Sequence, residues 1–322
     1  MDWICEKFAL TENVLHNLQF IDNFVELKED AEEGYLETPI ILTEKFSEIT
    51  PSWNSRTNID SSVELLIKIR INNNWTSYVS YGVWSTDGNN VGIKEHEIYE
   101  HIRVTSDRIF VKDGKFGDAV QIKVIFRGKN PKLKLIAFST DGCEDEIVEG
   151  NYLRVIENIP MISQLASGHK DARVICSPTS LTMVLMFHGK NVNLEQVTRG
   201  TLDSGNNAYG NWPQNVAFAG ELGMRAYTKK CKSINSVKNF IAKGIPVIAS
   251  VCVQDKEQLT GAISAFPHGH LMVVVGFEEK DGREYIVVND PAANSDDEVR
   301  KSYLLDEWVK VWRHYIYVVT ID

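Results

Sequence analysis

Cys176-Ser177-Pro178-Thr179-Ser180-Leu181-Thr182-Met183-Val184-Leu185-Met186-Phe187-His188-Gly189 is the stretch on which the fold turns. Leu181, Val184 and Leu185 fall at helical spacing. Pro178 stands near the start and Gly189 just past the end, so the pattern predicts a helix over 177–188. Cys176 then lies immediately before a helix N-terminus, where partial positive charge and free N–H groups favour a thiolate. Downstream, Asn193-Leu194-Glu195-Gln196 has the form of a capping box. Asn211-Trp212-Pro213 opens a helix that stops at Gly223, and Ser236 to Lys243 makes another, ending at Gly244. Apolar strands follow as a block: Pro246 to Val253, His270 to Phe277, Tyr285 to Asn289 and Tyr315 to Ile321. Helices first and strands after predict an α+β half with an antiparallel sheet. The connection Glu278 to Glu284, with Asp281-Gly282 inside it, predicts a hairpin.

Upstream the texture differs. In Val63 to Ile71 the odd positions are apolar and the even ones mostly polar, the period of a strand with one buried face. Asn72-Asn73-Asn74 predicts a turn, Trp75 to Trp84 a second strand, and Thr86-Asp87-Gly88-Asn89-Asn90 another turn. Val120, Ile122, Val124 and Phe126 alternate in the same way, and Gly128-Lys129-Asn130-Pro131 breaks the run before Lys132 to Phe138. Short strands with Gly, Asn and Pro punctuation predict an antiparallel β-sandwich of jelly-roll type. The division expected is therefore a sandwich accessory domain over 1–143, an acidic linker over 144–160, and the α+β domain over 161–322.

The chain has 322 residues, 43% of them hydrophobic and 24% charged, ordinary values for a globular protein of two domains. A net charge of −10 with no basic run argues against nucleic-acid and anionic-lipid partners. No apolar run reaches the roughly 20 residues that span a bilayer. As written the chain reads as cytoplasmic, and export would require a leader ahead of Met1. Its five cysteines are widely spaced with no C-x-x-C pair, which fits neither a disulfide framework nor a zinc knuckle.

A thiol nucleophile needs an imidazole to share its proton, a group to orient that imidazole, and donors for the oxyanion. His270 opens an apolar strand after the flexible run Phe266-Pro267-His268-Gly269. Asp290 closes the next strand ahead of Pro291, and a hairpin would bring the two together. Taken singly, each has an ordinary explanation: a packing thiol, a core histidine, a turn aspartate. His268 and His270 also read as a metal pair, but no third ligand stands at a suggestive spacing.

Residues 160 to 319 resemble the peptidases that cleave double-glycine leaders from bacteriocins, and their stand-alone relatives, within the papain-like superfamily. Ile162-Ser163-Gln164, Cys176 to Met183, Tyr209-Gly210-Asn211-Trp212-Pro213, Gly244-Ile245-Pro246-Val247, Gly269-His270-Leu271 and Val288-Asn289-Asp290-Pro291-Ala292 carry the likeness. The resemblance implies Cys176 as nucleophile, His270 as general base, Asp290 as orienting residue and Gln164 as oxyanion donor. It implies a peptide or protein substrate and no metal or organic cofactor. Two departures stand out. Ser177 replaces the family's usual glycine, where a side chain would crowd the substrate or alter the loop. The Cys176 to His270 separation of 94 positions is shorter than the roughly 130–150 of papain, which favours the compact branch. The likeness is expected to lie with the stand-alone relatives, without an attached transporter. Two rival readings are a papain-fold binding protein without turnover and an acyl transferase of transglutaminase type.

The N-terminal half resembles β-sandwich modules that precede such peptidases in bacteria, through Pro51-Ser52-Trp53-Asn54 and Ser80 to Ser85. Trp53, Trp75, Tyr78, Tyr81 and Trp84 either stack on a carbohydrate ligand or fill the core. Alternation from Tyr78 to Trp84 places Tyr81 and Trp84 on opposite faces of their strand, one face in the core and the other docked on the peptidase half.

Overall fold

The structure is a computed structural model that describes residues 1–8, 13–86, 90–92, 97–99 and 101–321. It is mostly β with few helices. The chain forms two compact units, one of residues 1–143 with 199–228, the other of 144–198 with 229–322.

The first unit holds an eight-stranded and a seven-stranded sheet, each built from antiparallel pairs among the described residues. Strand Ser61–Ile71 buries every odd position, as its period of two requires, and pairs along its length with Gly117–Gly128. Asn72 and Asn73 turn the chain with φ of 50° and 63°, values that asparagine tolerates better than most residues. Strand Glu48–Arg56 pairs with Lys132–Thr140 in the other sheet. Ile67, Ile69, Val120 and Ile122 from one sheet join Ile49, Trp53, Ile136 and Phe138 from the other in a single apolar cluster.

The expected strand over 75–84 is broken. Asn74–Trp75 and Val79–Trp84 are separate strands, and the second shifts register against its neighbour between Ser80 and Gly82. A bulge inserts a residue and reverses the alternation beyond it. Tyr81 and Trp84 therefore enter the same apolar cluster with Trp53, instead of facing opposite ways. Trp75 and Tyr78 remain half-buried beneath the Lys68 ammonium, 5.2 and 4.7 Å from the ring centroids. Asp87, Gly88 and Asn89 of the expected turn lie outside the described residues.

Strand Glu48–Arg56 is buried on both faces, because residues 199–228 cover the face turned away from the other sheet. Helix Trp212–Glu221 approaches so closely that a Cβ on Gly220 would lie 2.5 Å from Cβ of Asn54. Buried polar groups fasten the segment. Asn54 donates to the Ala226 carbonyl at 2.7 Å and accepts from the Ala226 N–H at 2.9 Å. The fully buried Asp203 accepts from the N–H of Gly92 at 2.9 Å and from the Asn211 amide at 3.1 Å. Asp107 accepts from the N–H of Trp212 at 2.9 Å, and Glu221 accepts from Trp84 Nε1 at 3.0 Å.

In the second unit, helix Cys176–Phe187 is buried from Ser177 through Leu185 and packs on strands Val247–Val253 and Phe266–Lys280. The latter pairs with Arg283–Asn289 through a two-residue turn, Asp281 and Gly282, with φ of 53° and 73°. Strand Arg300–Leu304 extends the sheet, followed by helix Leu305–Val311 and strand Trp312–Thr320. The expected capping box is present: Asn193 and Gln196 exchange side-chain bonds with each other's N–H at 2.9 and 3.0 Å.

The acidic stretch expected as a linker is held against this unit. Glu146 bonds Ser236 at 2.8 Å, Lys229 at 3.1 Å and Asn239 at 3.1 Å. Farther along, Ile156 donates to the Val275 carbonyl at 2.8 Å, where Gly276 leaves room for the Arg154 carbonyl.

Candidate active site

Helix Cys176–Phe187 begins at Cys176, with Ile175 as its N-cap and no side-chain cap. The Thr179 hydroxyl donates to the Ile175 carbonyl at 2.7 Å, beside its own N–H at 3.0 Å, which reinforces the first turn and leaves the terminal N–H groups uncapped. One turn in from Cys176, on the same helix face, Ser180 donates to the carbonyl of Leu271 at 3.1 Å. That bond pins the helix to the strand residue next to His270, and the thiol meets the imidazole.

His270 is buried, and its Nε2 lies 2.7 Å from Oδ1 of the fully buried Asp290. With Nε2 so engaged, Nδ1 is the ring nitrogen left for the sulfur. Asp290 also accepts from the N–H of Ala292 at 3.0 Å and from the hydroxyl of Tyr303 at 3.2 Å. Burial alone would depress the imidazole pKa, but the Asp290 charge and hydrogen bond, aided by Cys176, raise it from 6.5 to about 10. Burial likewise opposes ionisation of Cys176, and the hydrogen bond and charge of His270, with the N–H groups of Leu271 and Ser177, bring its pKa below the ordinary thiol value. Asp290 follows the same logic, with burial outweighed by His270 and the two other donors. All three shifts favour thiolate, imidazolium and carboxylate together.

Gln164 stands on a loop tied to the segment that follows Asp290. Its N–H donates to the Pro291 carbonyl at 2.8 Å. Ser163 bonds the Ala293 carbonyl at 2.5 Å and Ser167 the Gln164 carbonyl at 2.6 Å. The Gln164 side chain is buried and its Oε1 has no hydrogen-bond partner.

The structure thus brings Cys176, His270 and Asp290 together and leaves His268 exposed. Among the described residues no group of three or more His, Cys, Asp or Glu side chains is arranged to hold a metal ion. The Ser177 hydroxyl is buried, 3.0 Å from that of Tyr317. It points into the protein body, so the crowding expected of it does not arise. Two residues at the site had no signal in the sequence. Tyr303 belongs to a strand the periodicity did not show, and Phe266, whose ring stacks on the imidazole, lay in the run expected to be flexible.

A half-buried thiol at a helix N-terminus, bonded to a buried imidazole that is bonded to a carboxylate, is an arrangement suited to thiol nucleophiles. Residues 156–319 match the model of the Peptidase_C39-like family, and the chain belongs to that family. Its C-terminal part is accordingly a C39-like peptidase domain. The fold is similar to that of a C39-like peptidase from Bacillus anthracis, at 19% identity over 52% of this chain and 96% of that one, with a TM-score of 0.39. It is also similar to the peptidase domain of Streptococcus ComA, a bifunctional ABC transporter involved in quorum sensing, at 14% identity over 51% and 100%, TM-score 0.36. No curated protein matches the chain. No helix among the described residues is long and apolar enough to cross a membrane.

Proposed function

We propose that the protein is a cysteine peptidase that hydrolyses peptide bonds with Cys176 as nucleophile, His270 as general acid and base, and Asp290 as orienting group. The observation that carries this reading is the buried 2.7 Å contact of His270 Nε2 with Asp290, with the other side of the imidazole bonded to the thiol. The Cys176 thiolate attacks the scissile carbonyl carbon. The oxyanion takes hydrogen bonds from the Gln164 amide and the Cys176 N–H. His270 gives its Nδ1 proton to the departing amine, leaving an acyl-enzyme. It then takes a proton from the water that releases the acid and restores the thiolate. The substrate is a peptide or protein segment.

In this reading residues 161–322 carry the peptidase sequence, with 199–228 packed in the first unit, while 144–160 serve as a connector and 1–143 as a jelly-roll-like β-sandwich accessory domain. Two sheets sharing one apolar cluster support the sandwich reading. With Trp53, Tyr81 and Trp84 in that cluster, any carbohydrate contact falls to Trp75 and Tyr78.

The test is incubation with a peptide library and mass-spectrometric mapping of new termini. The reading expects cleavage by the wild type and none by Cys176→Ala. Cleavage that survives in Cys176→Ala would refute it, and capture of added amine in place of water would make the protein a transferase.

A further inference from the structure

Phe266 and His270 are four residues apart on one strand, so in a regular strand their side chains would stand about 13 Å apart. Here the ring centroids are 4.0 Å apart with 11° between the planes. The neighbouring strand shows how. Val251 opposes His270 and Val253 opposes Phe266, so two steps on one strand face four on the other. Pro267, His268 and Gly269 take up the excess as a bulge. Gly269 has φ of 112°, which other residues rarely adopt, and a Cβ there would lie 3.2 Å from the Arg313 guanidinium.

The bulge is held from both sides. The Pro267 carbonyl accepts from Cys252 Sγ at 3.3 Å and from Gln254 Nε2 at 3.4 Å. The His268 carbonyl accepts from Arg313 at 3.4 Å. A bulge fastened in this way folds the strand back so that an aromatic face covers one face of the imidazole.

Resting on the peptidase reading above, we infer that Phe266 is a positioning residue, which holds the His270 ring in plane between Cys176 and Asp290 and stabilises its charged form. Two physical effects act in the same direction. A flat stack at 4.0 Å restricts rotation of the imidazole about its bond to the chain, which keeps Nδ1 on the sulfur and Nε2 on the carboxylate. The negative face of the benzene ring also attracts an imidazolium more than a neutral imidazole. Half-buried itself, Phe266 limits how water reaches the ring from that side. Losing the face therefore weakens the thiolate–imidazolium pair while leaving the thiol in place.

The test is the pH dependence of Cys176 alkylation by iodoacetamide, followed by intact mass and peptide mapping, in the full chain. Phe266→Leu keeps an apolar side chain without the flat face, and Phe266→Tyr keeps the face. A loss of one pKa unit in the pair lowers the thiolate fraction about tenfold wherever the pH lies below the thiol's pKa. Phe266→Leu should therefore react about tenfold more slowly than wild type on the acid limb of its rate profile, below the thiol's pKa, and within about twofold near pH 9, where the thiol ionises without help. Phe266→Tyr should follow the wild type at both. An unchanged acid-to-alkaline ratio in Phe266→Leu would overturn the inference, as would an equal loss at both pH values. A Phe266→Tyr variant as slow as the leucine variant would overturn it too. His270→Ala, run in parallel, separates the levels. If it leaves the acid rate at wild type, the peptidase reading itself falls and the inference with it. If it slows the reaction and Phe266→Leu does not, only the inference fails.

Discussion

Asn54→Ala removes the side chain that joins strand Glu48–Arg56 to the segment 199–228. In the native protein that amide donates to the Ala226 carbonyl at 2.7 Å and accepts from its N–H at 2.9 Å. Ala226 is fully buried, so neither backbone group can turn to water after the substitution. A buried donor or acceptor left unpaired costs about 1–3 kcal/mol, and two of them about 2–6 kcal/mol. A further donation to the Trp53 carbonyl, at 2.8 Å, is lost as well. In a unit of this size each kcal/mol lowers Tm by about 2–4 °C, which predicts a fall of at least about 4 °C. Differential scanning fluorimetry measures that fall, and hydrogen exchange locates it. Peptides spanning 212–228 should exchange faster, while those from Ser61–Ile71 keep their protection. A Tm within about 1 °C of wild type, with unchanged exchange at 212–228, would refute the view that this segment is structurally part of the first unit.

Three more outcomes are expected. Gln164→Ala should slow turnover by about 10²–10³ with little change in thiol alkylation, because one oxyanion donor is lost and the ion pair is untouched. Asp290→Asn should forfeit the contribution of a His270 pKa raised from 6.5 to about 10. A raised pKa stabilises the fold in full below the unfolded value and ceases to do so as pH climbs through the folded one. The Tm advantage of wild type over Asp290→Asn should thus be large near pH 6 and shrink toward pH 10, as thermal melts across that range will measure. A fragment starting near residue 151 should be less stable and less soluble than the full chain, since residues 199–228 lose their packing partner. Sedimentation and melting of the fragment check this.

Local order was legible where the chain obeys a local rule. The alternation of Val63 to Ile71, the Asn193–Gln196 capping box and the Asp281-Gly282 turn each rest on neighbours in sequence, and each appears in the structure. Features made by distant partners were not. Asn54, Asn90 and Asp203 look like turn formers, yet they are buried and bond backbone groups more than a hundred positions away. No periodicity reports such a bond, so the membership of 199–228 in the first unit was invisible. The bulges at Ser80 to Gly82 and Pro267 to Gly269 defeat alternation for a related reason. Each changes which side of the sheet a residue faces, and only the partner strand reveals it. For the site, the order Cys176, His270, Asp290 could be read along the chain. Tyr303 and Phe266 could not, because a buried hydroxyl and a stacked ring are defined by what they touch.

The central claim is that one thiol among five is activated by its imidazole. The direct measurement is residue-resolved alkylation of the wild-type chain by limiting iodoacetamide near pH 6, where an ordinary thiol of pKa about 8.5 is almost wholly protonated. Cys143 and Cys252 are half-buried like Cys176 and serve as internal references. The account predicts that Cys176 is modified first, at least about tenfold faster than either reference, and that modification abolishes peptide cleavage. Equal rates at the three cysteines, or full cleavage by protein alkylated at Cys176, would contradict it.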